Sequence, residues 1–277
     1  MSDRTMFERL PGRAAAAVSQ AAGGRPLGWA ARLGLAARGT VYVLIGILAF
    51  LVARGSSAEA DQKGALEQVL AKPFGGFLVG LMAVGFACYA LWRLSEAASG
   101  VHGEGDRMGP RIKSLVRGLV YAGLAFTAVS LLMGSRTSQS GQQQTFTAQV
   151  MAHPGGQWAV GIVGAIVAVV GVALGWEGLR LKFLKYFPQS ELTPRVYRLV
   201  RSLGRVGNIA RGAVFAVAGV LVVVAARTYQ PAKAAGLDGA LKTLRDQPFG
   251  PVLLFLAAAG LIAFGLYGLL EARYRRV

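Results

Sequence analysis

The sequence has few charged side chains, and acidic ones are the rarest. Only 16% of its 277 residues are charged, compared with about 25% in an ordinary soluble domain. It has one cysteine, Cys88, and two histidines. It therefore cannot form an intramolecular disulfide, and it offers no histidine pair inside a helix bundle for axial haem ligation. These shortages argue against a soluble domain, a disulfide scaffold and a haem protein.

Six runs of the sequence lack charge altogether. A hydrocarbon core needs about 20 apolar residues in helical form. The second run of each pair approaches or meets that length, and the first runs, of 15 to 18 residues, can span if a flanking arginine snorkels. The sequence therefore predicts six transmembrane helices. The runs are Gly39–Ala53, Phe74–Leu91, Gly118–Ser135, Gly155–Trp176, Gly212–Ala226 and Phe249–Leu270.

No Asp, Glu, Lys or His lies in the middle of these runs. Ion-coupled transporters normally bury an ionisable residue at that depth, and intramembrane proteases need paired acids, a Ser–His dyad or metal ligands. The glycine-rich stretches lie inside apolar runs and follow no strand, so they do not predict a dinucleotide site. We therefore expect no enzymatic activity, no cofactor and no bound metal.

Basic residues are concentrated in alternate segments of the chain. The formal net charge is +17, and 22 of the 30 Lys and Arg residues lie in the N-terminal segment, the second and fourth loops and the C-terminal tail. The positive-inside rule places such segments in the cytoplasm. We expect a multi-pass protein of the plasma (inner) membrane with both termini cytoplasmic. The charge then needs no nucleic-acid partner to explain it.

The same residues recur three times at nearly the same spacing. Each occurrence opens with Arg-Gly and an aromatic residue three positions after the Gly. A proline follows the Arg by 35, 37 and 37 residues, and a glutamate follows each proline by 23. A fixed period of this kind indicates internal repeats. The recurring residues are Arg38, Arg117 and Arg211; Pro73, Pro154 and Pro248; and Glu96, Glu177 and Glu271.

The repeats predict an all-α integral membrane protein made of three parallel two-helix units. Their expected bounds are residues 27–100, 110–185 and 194–277, after a cytoplasmic lead of residues 1–26. Three units of equal orientation would close into a pseudo-three-fold bundle of six helices. The glycines of the spans either line helix interfaces or reflect the general frequency of glycine in membrane helices. Candidates for interfaces are Gly76 with Gly80, Gly171 with Gly175, and Gly260, Gly265 and Gly268.

The repeated arginines and glutamates are the candidate site. In each unit the Arg begins the first span and the Glu ends the second, so both lie on the same side of the membrane. The structural interpretation, which we favour, is a clamp between Arg and Glu within each unit, because charges near the membrane boundary find partners or snorkel. The functional interpretation is a charged vestibule that admits a solute. The expected clamps are Arg38 with Glu96, Arg117 with Glu177 and Arg211 with Glu271.

A basic amphipathic helix precedes the fifth span. Apolar residues recur at helical spacing, and four arginines occupy the other faces, which predicts a helix at the cytoplasmic headgroups. The arginines are Arg195, Arg198, Arg201 and Arg205. In contrast, residues 135–147 are rich in Ser, Thr, Gln and Gly, and we expect a flexible outer loop there.

The three-fold Arg-Gly-x-x-aromatic pattern, the Pro-Phe-Gly entry to two of the second spans and the closing Glu resemble a bacterial membrane family catalogued as domain of unknown function 1206. The resemblance covers roughly residues 27–277. The middle repeat departs from it, because Pro154-Gly155-Gly156 lacks the aromatic residue. The family implies a plasma-membrane protein with six spans, and it implies no reaction, ligand or catalytic residue.

Two functions remain open from the sequence. One is a structural or interaction protein whose basic cytoplasmic face binds anionic lipid headgroups or an acidic protein partner. The other is a passive pore or facilitator for a small solute along the pseudo-three-fold axis. Small polar side chains on the axis would favour a pore, and tightly packed Leu, Val and Phe would favour a scaffold.

Overall fold

The computed structural model describes residues 25–100, 108–135, 138–187 and 192–275. Most of the expected N-terminal lead, residues 1–24, lies outside the described residues. Within the described ranges every regular element is helical, with nine α-helices and two short 3-10 helices, Lys182–Tyr186 and Pro231–Lys233. The α-helices are α1 (Arg25–Ala53), α2 (Gln62–Leu70), α3 (Gly75–Ser99), α4 (Met108–Leu132), α5 (Gln139–Met151), α6 (Gly156–Leu179), α7 (Pro194–Thr228), α8 (Gly236–Arg245) and α9 (Gly250–Tyr274).

Six of these helices are long and apolar enough to cross a membrane, which agrees with the six predicted spans. They are α1, α3, α4, α6, α7 and α9, and a short helix lies between the two spans of each unit. The bundle has two ends. The basic end holds the starts of α1, α4 and α7 and the ends of α3, α6 and α9, and the capped end holds α2, α5 and α8.

The closest packing between spans occurs between units. Helix α3 packs on α4, α6 on α7, and α9 on α1, so that each second span packs on the first span of another unit. Within units, α1 packs on α3 and α7 on α9 less extensively, and α4 and α6 form no packed interface. In the most apolar stretch of each span, 56% is buried in α1 but only 22% in α4 and 17% in α6. The middle unit is therefore splayed, with apolar faces open on both of its spans.

Glycines at a seven-residue spacing form the α6–α7 interface. Gly164 and Gly171 of α6 face Gly212 and Gly219 of α7, and a Cβ at Gly171 would lie 2.7 Å from the carbonyl oxygen of Gly212. Because lipid gives helices no hydrophobic drive to associate, close backbone approach of this kind stabilises the pair.

The glycine pairs expected from the sequence only partly coincide with the interfaces. A Cβ at Gly76 or Gly175 would meet nothing within 4 Å, and one at Gly80 would only touch Leu132. The interpretation of Gly76 and Gly80 as interface glycines is therefore wrong. Of the second pair, only Gly171 has no room for a Cβ. Gly265 and Gly268 do lie against Gly39 at the α1–α9 interface.

Each unit enters its second span through the same turn. The residue before the helix adopts a left-handed conformation, with φ of 60° at Phe74 and Phe249 and 77° at Gly155. The next residue is always glycine, because a Cβ there would collide with a carbonyl oxygen of the preceding short helix, that of Val150 in the case of Gly156. Gly155, which stands where the other two units have phenylalanine, therefore occupies a position whose left-handed backbone conformation favours glycine.

One hydrophobic cluster fills the interior and draws on all spans except α6. Its fully buried large side chains include Ile45, Phe86, Tyr89, Leu261 and Phe264. Helix α6 is held mainly through α7.

The outer loop of the middle unit contains the helix α5, so the flexible loop expected for residues 135–147 is wrong for residues 139–147. The Ser138 side chain accepts a hydrogen bond from the Gly141 backbone N–H (3.0 Å) and begins α5. Asp61 begins α2 in the same way, accepting from the Gly64 N–H (2.9 Å). The polar composition of this segment reflects a capped surface helix.

Candidate functional site

Five arginines meet at the basic end of the bundle, and we call them the arginine cluster. Its members are Arg38, Arg93, Arg117, Arg211 and Arg275. Arg93 and Arg275 are at least 91% buried, and the side chain of Arg38 is 15% exposed. Such charges at the edge of an apolar bundle need carboxylates, polar groups or aromatic rings around them.

The innermost ion pair of the cluster joins two units. Arg38 of α1 donates a hydrogen bond to Oε2 of Glu271 at the end of α9, and Arg275 donates to Oε1 of the same carboxylate (3.0 Å). Glu271 is only 3% exposed. The pair follows from the glycine-mediated approach of α1 to α9, which brings these side chains closer than the looser hairpin of α1 with α3.

The clamps expected within each unit are therefore not formed. Glu96 instead accepts hydrogen bonds from Arg93 on its own helix (2.7 Å) and from the Ser114 hydroxyl of α4 (3.1 Å). Glu177 has no ion pair or side-chain hydrogen bond among the described residues. Helix packing explains why the clamp between Arg117 and Glu177 is absent, because α4 and α6 share no packed interface.

Arg211 also lacks a carboxylate partner within the described part of the chain. Its guanidinium carbon lies 4.8 Å from the ring centre of Phe264, 5.2 Å from that of Phe215 and 5.6 Å from that of Tyr42. Aromatic faces attract cations, and the attraction grows when the pair is withdrawn from water. The aromatic residue of the Arg-Gly-x-x-aromatic motif therefore helps to hold this arginine.

Tyrosines line the other side of the cluster. Nε and Nη2 of Arg93 donate to the hydroxyl of Tyr89, both at 3.0 Å, and the rings of Tyr89 and Tyr121 lie 4.3 Å apart. The ring contact between Tyr89 of α3 and Tyr121 of α4 thus lies beside Arg93 and crosses from the first unit to the second.

Two members of the cluster, Arg93 and Arg275, are not among the residues that recur in the repeat. Each lies within one helical turn of a repeated glutamate, Arg93 three residues before Glu96 and Arg275 four residues after Glu271. That spacing is a known signal for ion pairs on helices. A search for recurring residues misses this signal, because neither arginine recurs in all three units.

The four arginines predicted to form a basic face all lie on the first three turns of α7. We call Arg195, Arg198, Arg201 and Arg205 the basic surface; all four are exposed. None has an ion-pair partner among the described residues. The segment that carries them is continuous with the span, since α7 is one helix of 35 residues and about 52 Å. The basic surface is therefore the first part of this long helix and not a separate helix.

The starts of the three short helices interlock at the capped end. The Ala60 N–H donates to Oδ1 of Asp238 (3.0 Å), Ser140 donates to Oδ2 of the same carboxylate (3.4 Å), and the Lys63 N–H donates to the Gln139 side chain (3.2 Å). Each unit is therefore bonded to both others. Burial, with smaller contributions from the charges of Glu59 and Asp238, raises the pKa of Asp61 to about 6.

Comparison with known proteins agrees with this architecture. The family model described as Domain of Unknown Function (DUF1206) matches three successive segments, residues 33–100, 112–180 and 206–275. Uncharacterized protein YxxB of Bacillus subtilis (strain 168) is 32% identical over 249 residues, which are 89% of this chain and 90% of that protein. No solved structure matches the chain. With three tandem matches over most of its length, the chain belongs to the DUF1206 family.

Proposed function

We propose that this protein is a non-enzymatic interaction protein of the plasma membrane, with six spans, three units around a pseudo-three-fold axis and both termini in the cytoplasm. Its basic surface binds the anionic headgroups of the inner leaflet. The observation that carries the proposal is the exposure of four arginines on one helical extension without any carboxylate partner in the described chain. A juxtamembrane Lys or Arg gains about 1 kcal/mol near anionic lipid.

The interior supports a scaffold better than a pore. Large apolar and aromatic side chains from five of the spans form one buried cluster, in which Phe86, Leu261 and Phe264 are at most 2% exposed. Packed interiors of this kind leave little room for water or solute. The capped end adds a second layer, because hydrogen bonds between units join the three short helices there.

Lipid retention by the purified full-length protein tests the proposal. The protein would be incubated in neutral detergent with phosphatidylglycerol or phosphatidylcholine, and bound lipid would be counted by native mass spectrometry. In the variant all four arginines of the basic surface become glutamine. The matched control neutralises four basic residues at the capped end, namely Arg54, Lys72, Arg227 and Lys233.

We expect the wild type and the control to retain phosphatidylglycerol preferentially and the basic-surface variant to lose at least tenfold in retention. The difference should shrink as salt is added, because screening weakens exposed charges. Equal retention by the variant and the control would overturn the proposal. Flux of small solutes through sealed liposomes that hold the wild-type protein would favour the pore instead.

A further inference from the structure

The arginine cluster contains more positive charge than its carboxylates balance. Among the described residues, five guanidinium groups meet two carboxylates, Glu96 and Glu271, which leaves a surplus of three positive charges. Arg117 and Arg211 have no ion pair among the described residues, and Arg117 lies within electrostatic reach of Arg93 and Arg38. Uncompensated charge in an apolar surrounding is costly, so a group that brings negative charge would stabilise the cluster.

Two buried donors in the cluster are also without acceptors. Nε of Arg38 and Nε of Arg211 are shielded from solvent and have no hydrogen-bond partner within the described part of the chain. An unsatisfied buried donor costs about 1–3 kcal/mol, and more when it is charged. Their guanidinium carbons lie 5.3 and 4.8 Å from the same ring centre, that of Phe264, and so are at most about 10 Å apart. Both guanidinium groups therefore lie beside the same aromatic ring.

The chemistry of these donors selects phosphate. Guanidinium groups present parallel N–H donors that match the oxygens of a phosphate in two-point contacts. A phosphate ester carries one to two negative charges, which compensates much of the surplus of three. The hydroxyl of Tyr89 lies against Arg93 in the same cluster, with the ring of Tyr121 beside it, and a tyrosine hydroxyl can donate a hydrogen bond to a phosphate oxygen.

The cluster is open to ligands. Arg117 on α4 is exposed, and the side chain of Arg38 retains 15% of its accessible surface. Because α4 and α6 do not pack on each other, the bundle is also open sideways on the flank that carries Arg117. Within the described residues, a lipid headgroup or a soluble phosphate can therefore approach the cluster at Arg117.

We propose that the arginine cluster is a binding site for a phosphate group, with Arg38 and Arg211 as its direct contacts and Arg117 as a further source of positive charge. This site is separate from the basic surface, and it stands whether or not the basic surface binds lipid.

The test uses the purified full-length protein and two probes. Thermal unfolding in neutral detergent is followed in sodium phosphate and in sodium chloride of equal ionic strength. In parallel, the protein is reconstituted into phosphatidylcholine nanodiscs with or without phosphatidylglycerol, and retained lipid is identified by native mass spectrometry. The variants are Arg211→Gln and Arg211→Lys, and the control is Arg227→Gln at the other end of the same helix, outside both proposed sites.

We expect phosphate or phosphatidylglycerol, but not chloride or phosphatidylcholine, to stabilise the wild type and the Arg227→Gln control. Arg211→Gln should bind the effective probe about tenfold more weakly or worse, and Arg211→Lys should retain part of the affinity. Stabilisation by inorganic phosphate indicates a soluble source, and an effect of phosphatidylglycerol alone indicates a lipid headgroup.

The proposal is overturned if neither probe acts on the wild type beyond its ionic-strength control, or if Arg211→Gln binds as well as the wild type. Should Arg211→Gln fail to fold, Arg117→Gln replaces it, because its side chain is exposed and its loss removes charge without opening the core. Unchanged phosphate affinity in that variant would equally contradict the proposal. A loss of lipid retention confined to the basic-surface variant, together with no effect of inorganic phosphate on the wild type, would leave the first proposal standing and remove this one.

Discussion

Arg38 and Glu271 form an ion pair between the first and the last spanning helix. The pair is nearly buried, and Glu271 also accepts a hydrogen bond from Arg275. One carboxylate thus holds two guanidinium groups and closes the bundle across the α1–α9 interface. Removing it would leave both cations without their carboxylate.

We expect Glu271→Gln to destabilise the protein by about 3–5 kcal/mol, because breaking a buried ion pair leaves an uncompensated charge. Glu177→Gln is the matched control. It removes the equivalent repeated carboxylate, which has no ion pair in the described structure, and should change stability by less than about 1 kcal/mol. Chemical or thermal unfolding in the same detergent measures both variants. Equal losses of stability in the two variants would show that the ion pair with Arg38 is not the reason why Glu271 stabilises the protein.

The sequence was sufficient for the six spans and the family, because long apolar runs and a repeated spacing are local signals. It was insufficient for the pairing of Arg38, since which units pack most closely depends on helix rotation. Glycine positions showed the same limit. The spacing of Gly171 and Gly175 predicts an interface, and the backbone of Gly175 does lie close to Gly212. A Cβ, however, would be crowded only along the row formed by Gly164, Gly171 and Gly178.

The contrast between Gly171 and Gly175 can be measured. A Cβ at Gly171 would press on backbone atoms of Ala216 and Gly212, and one at Gly175 would meet nothing within 4 Å. We expect Gly171→Ala to separate α6 from α7 and to lower stability by about 1–3 kcal/mol, in the range found for overpacking. Gly175→Ala should be neutral. Disulfide trapping between cysteines introduced on α6 and α7 would report the separation, and similar trapping in both variants would contradict it.

The entry turn to α6 separates two roles of adjacent glycines. Gly155 needs a left-handed backbone but has open space around its Cβ position, and phenylalanine occupies the equivalent position in the other units. Gly156 has no space, because a Cβ would overlap the Val150 carbonyl. We expect Gly155→Phe to cost no more than about 1–2 kcal/mol and Gly156→Ala to cost more. Expression level and thermal unfolding of the two variants would rank them, and a reversed order would refute this account of the motif.

The capped end should make stability depend on pH through Asp61. Its pKa is about 6 in the folded protein, against an ordinary value of 3.8. The folded state therefore binds the proton more tightly than the unfolded state. Linkage then requires the contribution of Asp61 to stability to be largest below pH 4 and to fall by up to about 3 kcal/mol as the pH rises to about 6. Above pH 6 the contribution is constant.

Asp61→Asn isolates this effect. Asparagine can still accept the hydrogen bond from the Gly64 N–H and begin α2, but it carries no charge beside Glu59 and Asp238. We expect the variant to be more stable than the wild type at pH 7 and to gain nothing at pH 4. The difference in stability between the two proteins should therefore vanish as the pH falls from 7 to 4. Asp246→Asn, at an exposed carboxylate of the same end, is the control and should leave the pH profile unchanged. Parallel profiles for the wild type and Asp61→Asn would mean that Asp61 titrates normally, and burial beneath the three interlocked helices would then have no electrostatic consequence at this site.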